Sequence, residues 1–436
     1  MFVDYWEYFV NYWFEKSYLE IIRTFWYFFI LELPRFLLFD FIIVISVILN
    51  RQNLKTRYQK ARKLLWAEMP LISVIVPGKN EGKHLYKLVN SLKEQTYFNY
   101  ELIVVDDGSD DETPLIGRDL EKNGYIDKFV RNDVRGGKAS AANLALRYTK
   151  GKYIVHLDAD TSFDRDSIEN ILLPFFFGEN IGAVGGNIKV RNAEDSFCST
   201  LQAIEYLNTI SMGRIVSTEL GIYRIISGAF GAFRTDVIKR LGGWDIGPGL
   251  DGDITVKFRK LGYKIHFEPK AVGLTNAPTN FPTLSKQRLR WSKSLIRFRI
   301  RKHSDIYIPG KNFNLLNFIS FVENVTYDVI LNFLWWFYIL DIVINNMRML
   351  AIVIPLKVFM YMIMDFVQFT LILMISERWK KELKLYLYLP AMVFYNSYYM
   401  RFIRTMAYFK EIFWFSSYKD PWNPAKTSIK AFRNKL

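Results

Sequence analysis

Residues 152–160, KYIVHLDAD, hold the key to how this chain folds. A β-branched and aromatic run gives way there to two carboxylates spaced one residue apart. Strand side chains alternate faces with period two, so Asp158 and Asp160 leave the strand end on one side. Three further runs have the same character: LISVIVP (71–77), YELIVVDDG (100–108) and IGAVGGNIKV (181–190). Helical patterns separate them, the alternation expected of an α/β domain over residues 70–280 built on parallel strands. Open parallel sheets bind ligands beyond the carboxyl ends of their strands, where the paired acids and Pro/Gly turns fall.

The rest of the chain differs in composition. Of its 436 residues 50% are hydrophobic and 17% aromatic, with 36 Phe, 26 Tyr and 11 Trp, an aromatic load that points to membrane interfaces. The net charge of +15 suits an anionic partner such as nucleic acid, anionic lipid or a phosphorylated substrate. One cysteine, Cys198, excludes an intrachain disulfide and reads as a packed core residue. Residues 1–23 read as an interfacial segment and 24–49, TFWYFFILELPRFLLFDFIIVISVIL, as a membrane span. That span is interrupted by Glu32, Pro34, Arg35 and Asp40, and it lacks the basic lead-in and small-residue cleavage site of a signal peptide. The linker 50–69 carries Arg51, Lys55, Arg57, Lys60, Arg62 and Lys63, which by the positive-inside rule places the domain after it in the cytoplasm.

Residues 281–314 include KQRLRWSKSLIRFRIRK (286–302), where cations and apolar residues interleave as on a helix lying on a membrane surface. Flanking apolar segments favour that reading over nucleic acid. Within 315–415, residues 315–345 and 349–376 can each span, while 385–415 reads as a tilted span or an interfacial segment. The basic tail 416–436 prefers the cytoplasm, and the number of spans stays open.

Seven clusters follow one another: PGKNEG (77–82), VVDDGSDD (104–111), RGGKASAANLAL (135–146), HLDAD (156–160), SGAFGAFR (227–234), GLDGDITVKFRKLGY (249–263) and QRLRW (287–291). Any one alone is weak, because acids cap helices after strands as a matter of course. The ordered set resembles the membrane-embedded, processive branch of glycosyltransferase family 2, which includes hyaluronan, chitin, cellulose and poly-N-acetylglucosamine synthases. The resemblance implies a GT-A, Rossmann-like catalytic domain set between N- and C-terminal transmembrane helices, with amphipathic interface helices. It also implies a UDP-sugar donor, a growing polysaccharide acceptor, a plasma-membrane location and Mg²⁺ or Mn²⁺.

Physical chemistry supports several of these roles. A nucleotide-sugar diphosphate needs its charge screened, and hard carboxylate oxygens at a strand end suit Mg²⁺ or Mn²⁺. By resemblance Asp160 is the main metal ligand, Asp158 lies near metal and donor, and Asp107 holds the uracil and ribose. Gly136–Gly137 lets backbone amides approach an anion at a helix start, with Lys138 contacting the nucleotide. Asn80 and Glu81 also meet the nucleotide by resemblance, and Asn143 belongs to the small-residue helix that follows Lys138. Transfer needs a base for the acceptor hydroxyl. The family's acidic pair, counted back from Gly262–Tyr263, makes that base Asp251, with Leu250 departing from the pattern and Asp253 as rival. On a helix Gln287, Arg290 and Trp291 share a face. The family's Gln-x-x-Arg-Trp motif puts Arg290 on the donor diphosphate, Trp291 under the acceptor sugar and Gln287 beside it.

RWSKS (290–294) resembles hyaluronan and chitin synthases, whereas GGNIKVRN and ISGAFGAFR resemble poly-N-acetylglucosamine synthases equally well. Both lean toward UDP-N-acetylglucosamine and a β-linked polymer secreted across the membrane. The competing readings are a cellulose- or hyaluronan-like synthase using UDP-glucose or UDP-glucuronate, and an enzyme adding one sugar to a lipid carrier. A transporter or scaffold whose enzyme motifs have decayed is a third.

Overall fold

The computed structural model describes residues 2–247, 249–310, 313–420 and 423–434. Of the basic tail, residues 421–422 and 435–436 lie outside them. The centre of the molecule is an eight-stranded sheet of β1 (Ile72–Gly78), β2 (Tyr100–Asp106), β3 (Lys128–Arg131), β4 (Tyr153–Leu157), β5 (Ser162–Phe163), β6 (Ile181–Val190), β7 (Phe230–Arg234) and β8 (Lys264–Thr275). Their order across the sheet is β3-β2-β1-β4-β7-β6-β8-β5. β1, β2 and β4 are parallel, as the sequence predicts, and β3 joins them parallel to β2. β7 runs antiparallel to both β4 and β6, and β5 antiparallel to β8, so the sheet is mixed. Four of the eight strands (β3, β5, β7 and β8) escape a reading based on long apolar runs. β5 has two residues and β3 four, and β7 is written FGAFR, a pattern that small residues make ambiguous.

The first strands are apolar at nearly every position because both faces are covered. Val74, Val76, Leu102, Val104, Val155 and Leu157 pack on one side with Leu85, Leu88 and Leu92 of the helix Gly82–Lys93. Ile75, Ile103, Val105 and Ile154 pack on the other with Ala139, Ala141, Ala142 and Ala145 of the helix Lys138–Leu146. That run of alanines seats its helix directly against β1 and β2 and brings its first residue, Lys138, to the strand ends.

Two helices, Leu315–Asn345 and Met347–Ile375, are long and apolar enough to cross a bilayer. Residues 26–49 are helical too, but with two π-helical stretches, Phe28–Glu32 and Pro34–Leu38, where Pro34 interrupts regular hydrogen bonding. The charges that mar this segment point into protein: Arg35 pairs with Glu323, Glu32 with Arg401 and Tyr361, and Asp40 accepts from Gln368. Within 385–415 the helix Arg401–Trp414 lies along the helix Phe281–Leu295, which carries the QRLRW motif. The latter starts cleanly because Asn280 Oδ1 accepts from the Thr283 amide at 2.9 Å. Cys198 is buried, as expected.

Candidate active site

Asp107, at the end of β2, accepts from the amides of Gly136 (2.8 Å) and Gly137 (2.7 Å) and from Asn132 Nδ2 (3.2 Å). Gly137 has φ of 90°, a conformation that glycine adopts without strain, and it caps the helix that begins at Lys138. The clusters around 107 and 136, far apart in sequence, are thus one unit. Beside them Asn80, with φ of 60°, is pinned by its amide donating to Ser109 Oγ at 2.8 Å and its side chain accepting from the Asp110 amide at 3.2 Å. Asn143 does not join this group. It makes two hydrogen bonds, at 2.7 and 2.8 Å, to the backbone of Trp244 and anchors the helix from below.

Asp158 and Asp160 follow β4. Lys138 Nζ donates to Asp158 and lies 3.4 Å from the Gly228 carbonyl. Burial, then the charges of Asp160 and Asp158, push the Glu81 carboxyl up to about 7. Burial and Asp158 likewise raise Asp160. Three carboxyls therefore repel one another, with Lys138 as a partial counterweight, and this surplus of negative charge fits a dication. Among the described residues no group of three His, Cys, Asp or Glu side chains has metal-ligand spacing. The residues present match the habit of Mg²⁺ at phosphate sites, which takes one or two carboxylates and fills its shell with phosphate oxygens and water.

Asp251 opens the helix Leu250–Lys260, and its Oδ2 accepts from the Gly228 amide at 2.9 Å. Burial pushes its carboxyl up, against the pull of Lys138. Asp253 belongs to a different cluster, bonded to His303 Nε2 at 2.8 Å and Lys302 Nζ at 2.7 Å, with Lys257 at 3.6 Å. Burial alone would raise Asp253, but those partners hold it well below the usual carboxylate range. Gly228 joins the acids: its amide faces Asp251, while its carbonyl accepts from His156 Nδ1 at 2.7 Å. Gly228 and His156 lie within the SGAFGAFR and HLDAD clusters, but sequence reasoning gave neither a role. The available signal for His156 was its position two residues before Asp158, on the same strand face.

A Cβ placed on Gly228 would lie 2.4 Å from Asp251 Oδ1. Gly228→Ala is expected to displace that carboxylate and lower turnover by about 10²-fold, the effect of a displacement near 1 Å at a reacting group. Steady-state rates beside a thermal melt check it, and a melt close to wild type is the accompanying expectation.

On the helix Phe281–Leu295, burial lowers the Arg290 pKa while the charges of Asp420, Asp158 and Asp251 oppose it, so this guanidinium faces the same acids. Gln287 Oε1 is buried with no hydrogen-bond partner, and Trp291 is 41% exposed. Asn80, Glu81, Asp107, Lys138, Asp158, Asp160, Asp251 and Arg290 thus gather at one end of the sheet, with Gln287 and Trp291 on the flank. The C-terminal segment also arrives here, which the sequence did not reveal. Thr427 Oγ1 donates to the Gly136 carbonyl at 3.1 Å, and a Cβ on Gly137 would meet Asn423 Oδ1 at 3.3 Å.

Residues 73–242 match the family described as glycosyl transferase family 2. Over 224 residues the chain is 33% identical to a poly-beta-1,6-N-acetyl-D-glucosamine synthase of Staphylococcus epidermidis, covering 51% of this chain and 54% of that protein. A Staphylococcus aureus protein of the same name is 32% identical over 229 residues, covering 52% of this chain and 55% of the relative. The chain therefore spans about half the length of these relatives. A second S. epidermidis protein of that name is 28% identical over 325 residues, covering 71% of this chain and 76% of the relative. A mannosyltransferase from Pyrobaculum calidifontis, solved with GDP-Man and Mn²⁺, superposes with a TM-score of 0.54 at 20% identity, over 86% of this chain and 99% of that one, and shares the fold. The family profile thus falls on the sheet that carries the acids, and similarity to relatives of one name extends beyond it.

Proposed function

We propose that this chain is a processive, inverting glycosyltransferase that polymerises N-acetylglucosamine from UDP-N-acetylglucosamine into a β-linked polysaccharide and passes the product across the membrane. The observation that carries this reading is the convergence on Gly228, whose carbonyl lies 3.4 Å from the Lys138 Nζ that donates to Asp158 and whose amide donates to Asp251. The relatives' shared name supplies the sugar.

Asp251 accepts the acceptor hydroxyl proton as that oxygen attacks the anomeric carbon. Its raised pKa makes it a stronger base than an exposed aspartate, and one carboxylate on the acceptor side is what an inverting displacement requires. Arg290 and Lys138 counter the charge of the leaving diphosphate. Asp160 and Asp158 hold Mg²⁺ or Mn²⁺, which supplies charge neutralisation to the same diphosphate when bound. Asn80, Glu81 and the Gly136–Gly137 loop, shaped by Asp107, receive the nucleotide. Trp291 offers the acceptor an apolar ring face, with Gln287 beside it on the same helix.

The proposed arrangement keeps residues 70–280 cytoplasmic, the linker 50–69 and the interface region 281–314 at the membrane surface, and 24–49 and 315–415 in or on the bilayer. Residues 1–23 and the tail 416–436 border it. Purified protein with Mn²⁺ or Mg²⁺ and UDP-N-acetylglucosamine, UDP-glucose or UDP-glucuronate, singly and in pairs, tests the reading through UDP release and product size. A long product from UDP-N-acetylglucosamine alone is the expected result. Single additions to lipid would replace it with the lipid-carrier reading.

A further inference from the structure

Arg288 lies inside the QRLRW motif, yet the Gln-x-x-Arg-Trp pattern gives it no role. It is 4% exposed, and its Nη2 donates to Glu205 Oε2 at 2.7 Å. Tyr395 Oη donates to the same carboxylate oxygen, also at 2.7 Å. The Arg288 guanidinium stands 4.4 Å from the centre of the Trp291 ring and 5.7 Å from that of Tyr206. Trp291 nevertheless stays 41% exposed. One face of its ring rests on a planar cation while the residue remains open to an incoming sugar.

Three regions meet at this point. Glu205 and Tyr206 end the helix Phe197–Tyr206 of the catalytic domain, Arg288 and Trp291 belong to the helix Phe281–Leu295, and Tyr395 begins the π-helical stretch Tyr395–Met400 of the C-terminal region. One turn on, Tyr399 ties the same two segments again through Ser285 Oγ at 2.8 Å and the Phe281 carbonyl at 3.0 Å. A buried ion pair returns little net stability after desolvation, but it fixes the geometry of whatever stacks on it. Arg is suited to that task because its flat guanidinium bonds a carboxylate at its edge and offers its plane to an aromatic ring.

We propose that Glu205, Arg288 and Tyr395 are positioning residues that hold Trp291 as the acceptor platform, and that their hold sets how long the polymer grows. This rests on the processive reading above. After each transfer the new end must stay on the ring for the next addition. A loosened ring releases the chain sooner without altering the chemistry at Asp251 or the binding of donor.

The test uses the full chain in nanodiscs with Mn²⁺, UDP-N-acetylglucosamine and a short N-acetylglucosamine oligosaccharide, comparing wild type with Tyr395→Phe and Glu205→Gln. Tyr395→Phe removes one hydroxyl and keeps the ring, so it preserves the fold even if Glu205→Gln does not. Expected for Tyr395→Phe are a shorter product and a rise of about fivefold in acceptor KM, the equivalent of one hydrogen bond. Donor KM and the rate of UDP release at saturating acceptor should stay within about twofold of wild type, a split that general destabilisation would not produce. Glu205→Gln should shorten the product further. Wild-type polymer with unchanged length and acceptor KM in a folded Tyr395→Phe overturns this inference alone. Wild type giving only single additions overturns the processive reading and this inference with it.

Discussion

Asp251→Asn is expected to lower sugar transfer by about 10²–10⁴-fold, the usual contribution of a general base, and to leave donor binding intact. The amide keeps an oxygen for the Gly228 N–H, so the turn holds, but it cannot take up a proton. The pH dependence has a definite sign. Burial raises the folded pKa of Asp251 above that of an unfolded aspartate. Wild-type turnover is therefore lost as pH falls through that raised value. Stability runs the other way: the contribution of the protonated form is full below the unfolded pKa and is lost as pH rises through the folded one. At neutral pH the Asn variant should melt at the same temperature as wild type or higher. Asp253→Asn provides the contrast, since it leaves Lys302, Lys257 and His303 around a neutral group. Breaking such a buried pair costs about 3–5 kcal/mol. Asp253 has a depressed pKa, so the stability it contributes is present above the unfolded value and fades as pH falls through the folded one. Calorimetric melts and initial rates on the two variants separate base from structural acid. Normal transfer by Asp251→Asn would remove it from the mechanism.

Asp160→Asn should produce the second large loss. In the wild type a chelator is expected to stop UDP release, and Mn²⁺ or Mg²⁺ to restore it. The variant should lose about 10²-fold or more in transfer, the equivalent of about 3 kcal/mol of charge stabilisation at the diphosphate. Two readouts are independent of turnover. Titration calorimetry should show wild-type affinity for the UDP-sugar rising with Mn²⁺ and the variant's rising far less. Glu81, pushed up to about 7 by burial and then by Asp160 and Asp158, should fall toward the ordinary range once the Asp160 charge is gone. A donor affinity that ignores Mn²⁺ in the wild type would reject the assignment of the dication to these acids.

Much of this was legible in the sequence because the information is local. Apolar runs buried on both faces identify β1, β2, β4 and β6, and a strand's period of two puts Asp158 and Asp160 together. β7 was not legible. Its antiparallel pairing with β4 and β6 is a choice of partner, which no residue of FGAFR encodes by itself.

The acids show the same division. Asp251 and Asp253 stand two residues apart in one helix turn, and composition gives no ground for preferring either. Their surroundings differ because Gly228 arrives from the turn before β7, whereas Lys302 and His303 arrive from within the interface region. Arg288 and Arg290 are likewise alike in sequence, yet the fold gives one to Glu205 and sets the other among the charges of Asp420, Asp158 and Asp251. The sequence by itself determined the chemical inventory: a nucleotide-binding α/β domain, acids at strand ends, an Arg-Trp helix and flanking apolar segments. Only the tertiary structure decided which carboxylate sits beside Gly228, which arginine backs Trp291, and that the C-terminal segment reaches the Gly136–Gly137 loop. The physical reason is range. Periodicity and capping act within a few residues, while burial, charge pairing and pKa depend on neighbours brought from 23 to 291 residues away.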